Sequence, residues 1–332
     1  MQAATGFTRV FCVLGAVVLA IAFAVPVSAM PADWSREWPR TDFTKASVPL
    51  QEIVSGGPAK DGIPAIDRPE FVGVAQSRGR LPAREPVISV HIAGEARAYP
   101  LRILMWHEIV NDSIGGMPIA VTYCPLCDSS IVFDRRVTGR VLSFGTTGKL
   151  RHSGLVMYDR ETESWWQQFL GQAIVGDLVN HQLARLPARI ESFERFAQRF
   201  PDGKVMVPPQ GGGRPYGANP YVGYDRSAAP LLYQGHYDDL IPPLARVVVV
   251  GDQAWPLDLL KERGRIEAGD LVLTWEPGQA SALDAATIEA GRDIGNAVVQ
   301  RRTPAGLEDV VYDVSFAFAF RAFHPNGRLH AG

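Results

Sequence analysis

The 332 residues carry 33 lysines and arginines against 35 aspartates and glutamates, for a formal charge of −2, and 46% of them are hydrophobic. A chain so close to neutrality, with no run of like charges, presents no electrostatic footprint for nucleic acid or another polyanion. Its apolar content is enough for a large buried core.

The chain begins "MQAATGFTRVFCVLGAVVLAIAFAVPVSAM", with one charge at Arg9, an apolar stretch from Val10 to Ala24 and the small-residue site Val27-Ser28-Ala29. This is the pattern of a cleaved secretory signal peptide over residues 1–29, so the expected location is periplasmic or secreted. The apolar stretch is short for a bilayer span, and no stable membrane insertion is expected after cleavage. Cys12 leaves with the peptide. Removing 29 of 332 residues leaves 303, and losing Arg9 takes the charge from −2 to −3. That length suggests about two domains.

Residues 30–85 are rich in Pro and Gly and read as an extended N-terminal wrap. "PVISVHIAGEARAYPLRILMWHEIV" (86–110) reads as a strand, a turn at Gly94 and a helix entered through Pro100, where a missing N–H costs nothing. "TYCPLCDSSIVF" (122–133) carries the two cysteines of the mature chain between strand-like runs. "FGTTGKLRHSG" (144–154) reads as a Gly-rich basic loop. It is not a phosphate-binding loop, because no glycine stands at the required spacing before Gly148-Lys149 and no Ser or Thr follows the lysine. Trp165-Trp166 reads as core packing.

The pattern of 86–110 returns in "RVVVVGDQAWPLDLLKERG" (246–264). Gly94 lies on Gly251, Tyr99 on Trp255 and Pro100-Leu101 on Pro256-Leu257. Downstream, Thr122-Tyr123-Cys124-Pro125 lies on Thr274-Trp275-Glu276-Pro277, and "RFPDGKV" (199–205) on "FHPNGRL" (323–329). An ordered series of this kind points to duplication. The expected organisation is therefore a first repeat over 86–210, a Gly/Pro-rich linker over 211–245 and a shorter, degenerate repeat over 246–332. The expected fold class is α+β: β-rich, with largely antiparallel strands, a few short helices and two diverged repeats. In that alignment Cys124 becomes Glu276, Cys127 becomes Gln279 and His107 becomes Arg263, so the element does not need its cysteines to fold and the second copy lacks the chemistry.

A disulfide closing so short a loop removes little chain entropy, which argues against a mere staple. C-x-x-C is a redox motif when one thiolate is stabilised. The thioredoxin arrangement opens a helix with this motif, whereas "DSSIVFDR" reads as a strand, so that fold is excluded. The positive neighbour must come from elsewhere. His107, on the helix over 101–110, is the first candidate for base or cationic partner, with Lys149 and Arg151 as weaker electrostatic ones and Tyr123 and Asp128 as supporting groups. The alternative is a metal site for zinc or copper, using Cys124, Cys127 and His107, since soft sulfur ligands suit those ions. One C-x-x-C is half of a structural zinc site, and His152 or Asp128 would have to be recruited to complete another. A binding module with an inert bridge is the third reading. No nucleophile elbow, His-Glu-x-x-His helix or dinucleotide fingerprint is present.

"WHEIVND", "TYCPLCDSSIVFDR", "FGTTGKLRHSGLVMYDRETESWW" and "GQAIVGDL" together resemble the bacterial family called domain of unknown function 3179, over most of the mature chain. The resemblance brings no established reaction. Some members of that family are selenoproteins, which implies redox chemistry at a cysteine of the C-x-x-C region. Family members often carry Asn where this chain has His152, so no metal site is rested on that residue. The resulting expectation is an exported thiol–disulfide protein in which Cys124 attacks and Cys127 resolves. Its partner would be a thiol or disulfide, or a metal carrier under the alternative, and no nucleic acid is expected.

Overall fold

The structure, a computed structural model, describes residues 34–211, 213–237 and 240–330; the expected signal peptide lies outside them. The chain is β-rich and largely antiparallel, with few short helices. Its strands form five main sheets of four or five strands, an arrangement that resembles a five-bladed β-propeller and was not read from the sequence.

The blade that matters most here runs in the order Arg185–Leu186, Ser129–Asp134, Met117–Cys124, Ile109–Ile114. It is a meander in which every residue of Ser129–Asp134 is buried. Beside it lies a blade of Arg189–Ser192, Pro86–Ile92, Glu95–Pro100, Lys204–Val207 and Glu70–Gly73. A third combines Ile53–Ser55 with Phe144–Arg151, Gly154–Asp159, Trp165–Gln167 and Gln172–Val175. The N-terminal wrap thus donates an edge strand to each of these two blades. The remaining blades are Asp313–Phe316, Arg246–Val250, Gln253–Pro256, Arg328–Leu329 and Arg265–Ala268, Leu271–Glu276, Asn296–Thr303, Gly306–Asp309.

The two segments aligned in sequence make the same succession of elements. Pro86–Ile92 and Glu95–Pro100 lead into the helix Leu101–His107, as Arg246–Val250 and Gln253–Pro256 lead into Leu257–Arg263. Prolines cap both helices at nearly equal angles, φ −64° at Pro100 and φ −54° at Pro256. The ladders also coincide: Thr122 pairs with Ile109, the first residue after one helix and its cap, as Thr274 pairs with Arg265 after the other. In each half a later strand rejoins the first hairpin in parallel, Lys204 beside Arg97 and Arg328 beside Gln253.

Two expectations change. The first helix stops at His107 instead of running to 110, because Glu108 turns left-handed (φ 57°) and Ile109 already belongs to a strand. The expected basic loop over 144–154 is mostly the strand Phe144–Arg151, with a bulge between Thr146 and Lys149. Its glycines serve close packing: a Cβ on Gly148 would stand 1.9 Å from the Pro58 carbonyl oxygen, and one on Gly145 2.4 Å from the Asp61 carboxyl.

Candidate functional site

Cys124 closes the strand Met117–Cys124, paired with Ser129, and Pro125 to Asp128 make the turn into the next strand. Asp128 takes φ 52° and returns its N–H to the Pro125 carbonyl. Both thiols are unbonded and buried. Their sulfurs meet at one acceptor, the Ser153 carbonyl oxygen, 3.8 Å from Cys124 Sγ and 3.6 Å from Cys127 Sγ. Ser153 owes this position to a tight turn in which it and His152 both have positive φ, at 63° and 51°.

The two sulfurs have different surroundings. The Leu155 N–H donates to Cys124 Sγ at 3.4 Å, an interaction a thiolate accepts more strongly than a thiol. Burial pushes the Cys127 thiol well up, and the neighbouring Cys124, Asp313 and Asp128 push it further. The Cys127 thiol therefore keeps its proton at neutral pH.

The turn is clamped by the second half of the chain. Asp313 accepts from Ser129 Oγ (2.8 Å) and from the Ser130 N–H (3.0 Å), while the Phe316 N–H donates to the Cys127 carbonyl (2.9 Å). Asp128 joins the phenol of Tyr123 (3.0 Å) to the guanidinium of Arg246 (2.6 Å), which also binds Asp225 and Ser281. Tyr123 and Asp128, expected as supporting groups, shape the turn through this network.

The other expected residues have different partners. His107 is buried, and its Nδ1 meets the Pro64 carbonyl (2.7 Å) and its Nε2 the Tyr216 hydroxyl (2.8 Å). Burial and the nearby Arg214 lower its pKa, so it stays neutral at neutral pH. Lys149 pairs with Glu37 at 3.0 Å and Arg151 with Glu52 at 2.7 Å, fastening the N-terminal wrap to the strand Phe144–Arg151. His152 leans on Phe323 and approaches the same Glu52. Among the described residues no group of three His, Cys, Asp or Glu side chains is arranged to hold a metal, so the set Cys124, Cys127 and His107 is not gathered into one centre.

Sequence reasoning missed what covers the thiols. Residues 211–245, read as a linker, contain a single short 3-10 turn (Tyr224–Arg226) and no strand among their described residues. The Tyr224 hydroxyl donates to the Leu126 carbonyl inside the cysteine turn (3.0 Å) and accepts the Leu231 N–H, while Ser153 Oγ donates to the Leu231 carbonyl (2.6 Å). Burial raises both phenols, Tyr224 with help from Cys127 and Cys124, Tyr221 with help from Glu108 and Cys124. Glu108 was also missed. Burial alone pushes its carboxyl up to about 8, and a left-handed glutamate costs on the order of 1 kcal/mol. The sequence signal was available: in the repeat alignment Glu108 falls on Gly264.

Fold and site together define a β-rich protein with a converging, buried cysteine pair at the end of one blade. The chain belongs to the family described as Protein of unknown function (DUF3179), whose model matches residues 60–327. That range includes the cysteine turn and its cover. Neither the curated proteins nor the solved structures compared with the chain gave a match.

Proposed function

We propose that this protein is an exported thiol–disulfide redox protein, built on a duplicated unit, in which Cys124 and Cys127 alternate between dithiol and disulfide. The observation that carries the reading is the convergence of the two sulfurs on the Ser153 carbonyl in unequal settings. Cys124, with the Leu155 N–H aimed at its sulfur, is the attacking group. Cys127, fully buried and with its thiol pushed well up by burial, resolves the mixed disulfide. Glu276, which replaces Cys124 in the second copy, pairs with Arg195 and leaves the same strand intact, so a cysteine is not needed to build this ladder. His107, neutral and doubly hydrogen-bonded, serves to anchor Tyr216.

The reduction potential of the Cys124–Cys127 pair, measured in glutathione buffers by alkylation trapping and intact mass, tests the reading. A value between about −120 and −270 mV belongs to exchanging oxidoreductases, while one below about −300 mV would mark an inert bridge and end the proposal.

A further inference from the structure

Residues 64–73 of the N-terminal wrap lie in a groove between two blades of the first half. The Pro64 carbonyl meets His107 Nδ1 at 2.7 Å. Ile66 joins the edge of Ile109–Ile114, its N–H on the Ile109 carbonyl (2.9 Å) and its carbonyl on the Asn111 N–H (2.8 Å). Asp67 accepts from the Asn111 side chain at 2.8 Å, and Phe71 packs edge-on against Tyr99 with ring centroids 5.7 Å apart. Glu70–Gly73 then pairs antiparallel with Lys204–Val207.

The second half repeats the walls of this groove. Tyr99, His107, Val110, Asn111, Lys204 and Val205 fall on Trp255, Arg263, Ile266, Glu267, Arg328 and Leu329. Those second-half residues line one cavity of about 420 Å3 together with His330, which stacks on Trp255 at 4.5 Å and supplies the ring contact that Phe71 gives Tyr99. Among the described residues no strand lies beyond Arg265–Ala268 or Arg328–Leu329, each of which ends its sheet. The N–H groups of Arg328 and His330 bond inward to the Asp252 and Ala254 carbonyls, both at 2.8 Å, so strand alternation turns the Leu329 N–H and carbonyl to the open edge. The charge differs from that of the first half. Arg263 stands in the place of His107 and Arg328 in that of Lys204, and among the described residues neither guanidinium has a hydrogen bond or an ion pair. The acid of the groove, Glu267, is already held by Arg265 at 2.7 Å and Arg302 at 3.0 Å. Two free guanidiniums repel a like edge and attract an acidic one, which argues against a second copy as the occupant.

We propose that this groove receives an extended acidic segment of a partner protein, laid between Arg265–Ala268 and Arg328–His330 as residues 64–73 lie in the first half. Backbone pairing to the two open edges supplies affinity, as in other cases of strand addition. Carboxylates facing Arg263 and Arg328 supply selection.

The test is fluorescence anisotropy of a labelled peptide, "PAIDRPEFVG" (the sequence of residues 64–73), titrated with the full-length protein. Saturable binding is expected, weakened about fivefold by Arg263→Gln or by Arg328→Gln. Both arginines are exposed, so neither change touches the core. A peptide with Asp67→Lys and Glu70→Lys should lose at least as much. Lys204→Gln, the matching change in the first half, should leave binding as it was, because the chain's own segment already pairs there. Binding indifferent to both arginines would overturn the proposal. So would the absence of binding tighter than about 1 mM, which would give the groove to the chain's own terminal residues or, if sedimentation shows self-association, to a second copy.

Discussion

The carboxyl of Glu108 titrates near 8 in the folded chain against an ordinary 4.5, because burial disfavours its charged form and no cation compensates. The sign follows directly. The folded state prefers the protonated acid, so this contribution is whole below about 4.5 and is lost as pH climbs to about 8. Each decade between the two values is about 1.4 kcal/mol, which sets an upper limit of about 5 kcal/mol on the loss. Urea unfolding of wild type and Glu108→Gln at several pH values should show the wild type falling behind across that window; parallel curves would mean that the carboxyl ionises freely. Asp313, raised by burial to about 6, loses stability in a lower window but is common to both proteins. At this scale the sequence singled out the cysteines and His107, because those residue types are rare and their spacing is visible. It passed over Glu108, because a glutamate in a helical stretch reads as surface until its backbone is known.

The strands and helices around the cysteines were legible because their apolar runs end at Gly and Pro. The cover over 211–245 was not legible, since a segment without periodicity carries no signal for where it packs. The same limit hid the strand Phe144–Arg151, whose Gly145 and Gly148 mark close contact with residues 58–61 instead of a free loop. Over the cysteine turn itself the cover is held by the Tyr224 hydroxyl on Leu126 and Leu231 and by Ser153 Oγ on Leu231, while further along Asn219 binds Ala285 and Asp225 binds Arg246, Ser281 and Arg292. Its described part also exposes Val222, Leu231, Leu232 and Tyr237. Opening over the thiols needs only the local bonds of Tyr224 and Ser153 to break, so it is reached more readily than unfolding of the sheets beneath. Tyr224→Phe keeps the ring against Phe316 and removes only the hydroxyl, at about 1 kcal/mol. That shifts the opening equilibrium about fivefold, so iodoacetamide should label Cys124 about five times faster with little change in the far-UV spectrum. Unchanged labelling would show that the thiols are reached by another route.

The duplicated pattern was readable along the chain, but five sheets were not, because strands distant in sequence complete them: Arg189–Ser192 pairs with Pro86–Ile92, and Asp313–Phe316 with Arg246–Val250. Nor could the sequence reveal that one hydrophobic core runs through Ile88, Val121, Phe144 and Leu155 on to Phe316 and Phe318. The polar counterpart of that shared core is Arg246, 7% exposed, whose guanidinium binds Asp128 beside the cysteines, Asp225 in the cover and Ser281 in the second half. Replacing a buried ion pair by apolar groups is often harmless, but deleting one partner strands the other charges. Arg246→Ala leaves Asp128 and Asp225 without this guanidinium, and although Arg292 still meets Asp225, Asp128 keeps only the Tyr123 hydroxyl. The cost is about 3–5 kcal/mol, which for a chain of this size lowers the melting temperature by roughly 5–8 °C. Because core and network both span the halves, the loss should appear in calorimetry as one transition moved down intact. Two separated transitions in Arg246→Ala would instead show that each half folds by itself and that the guanidinium was all that joined them.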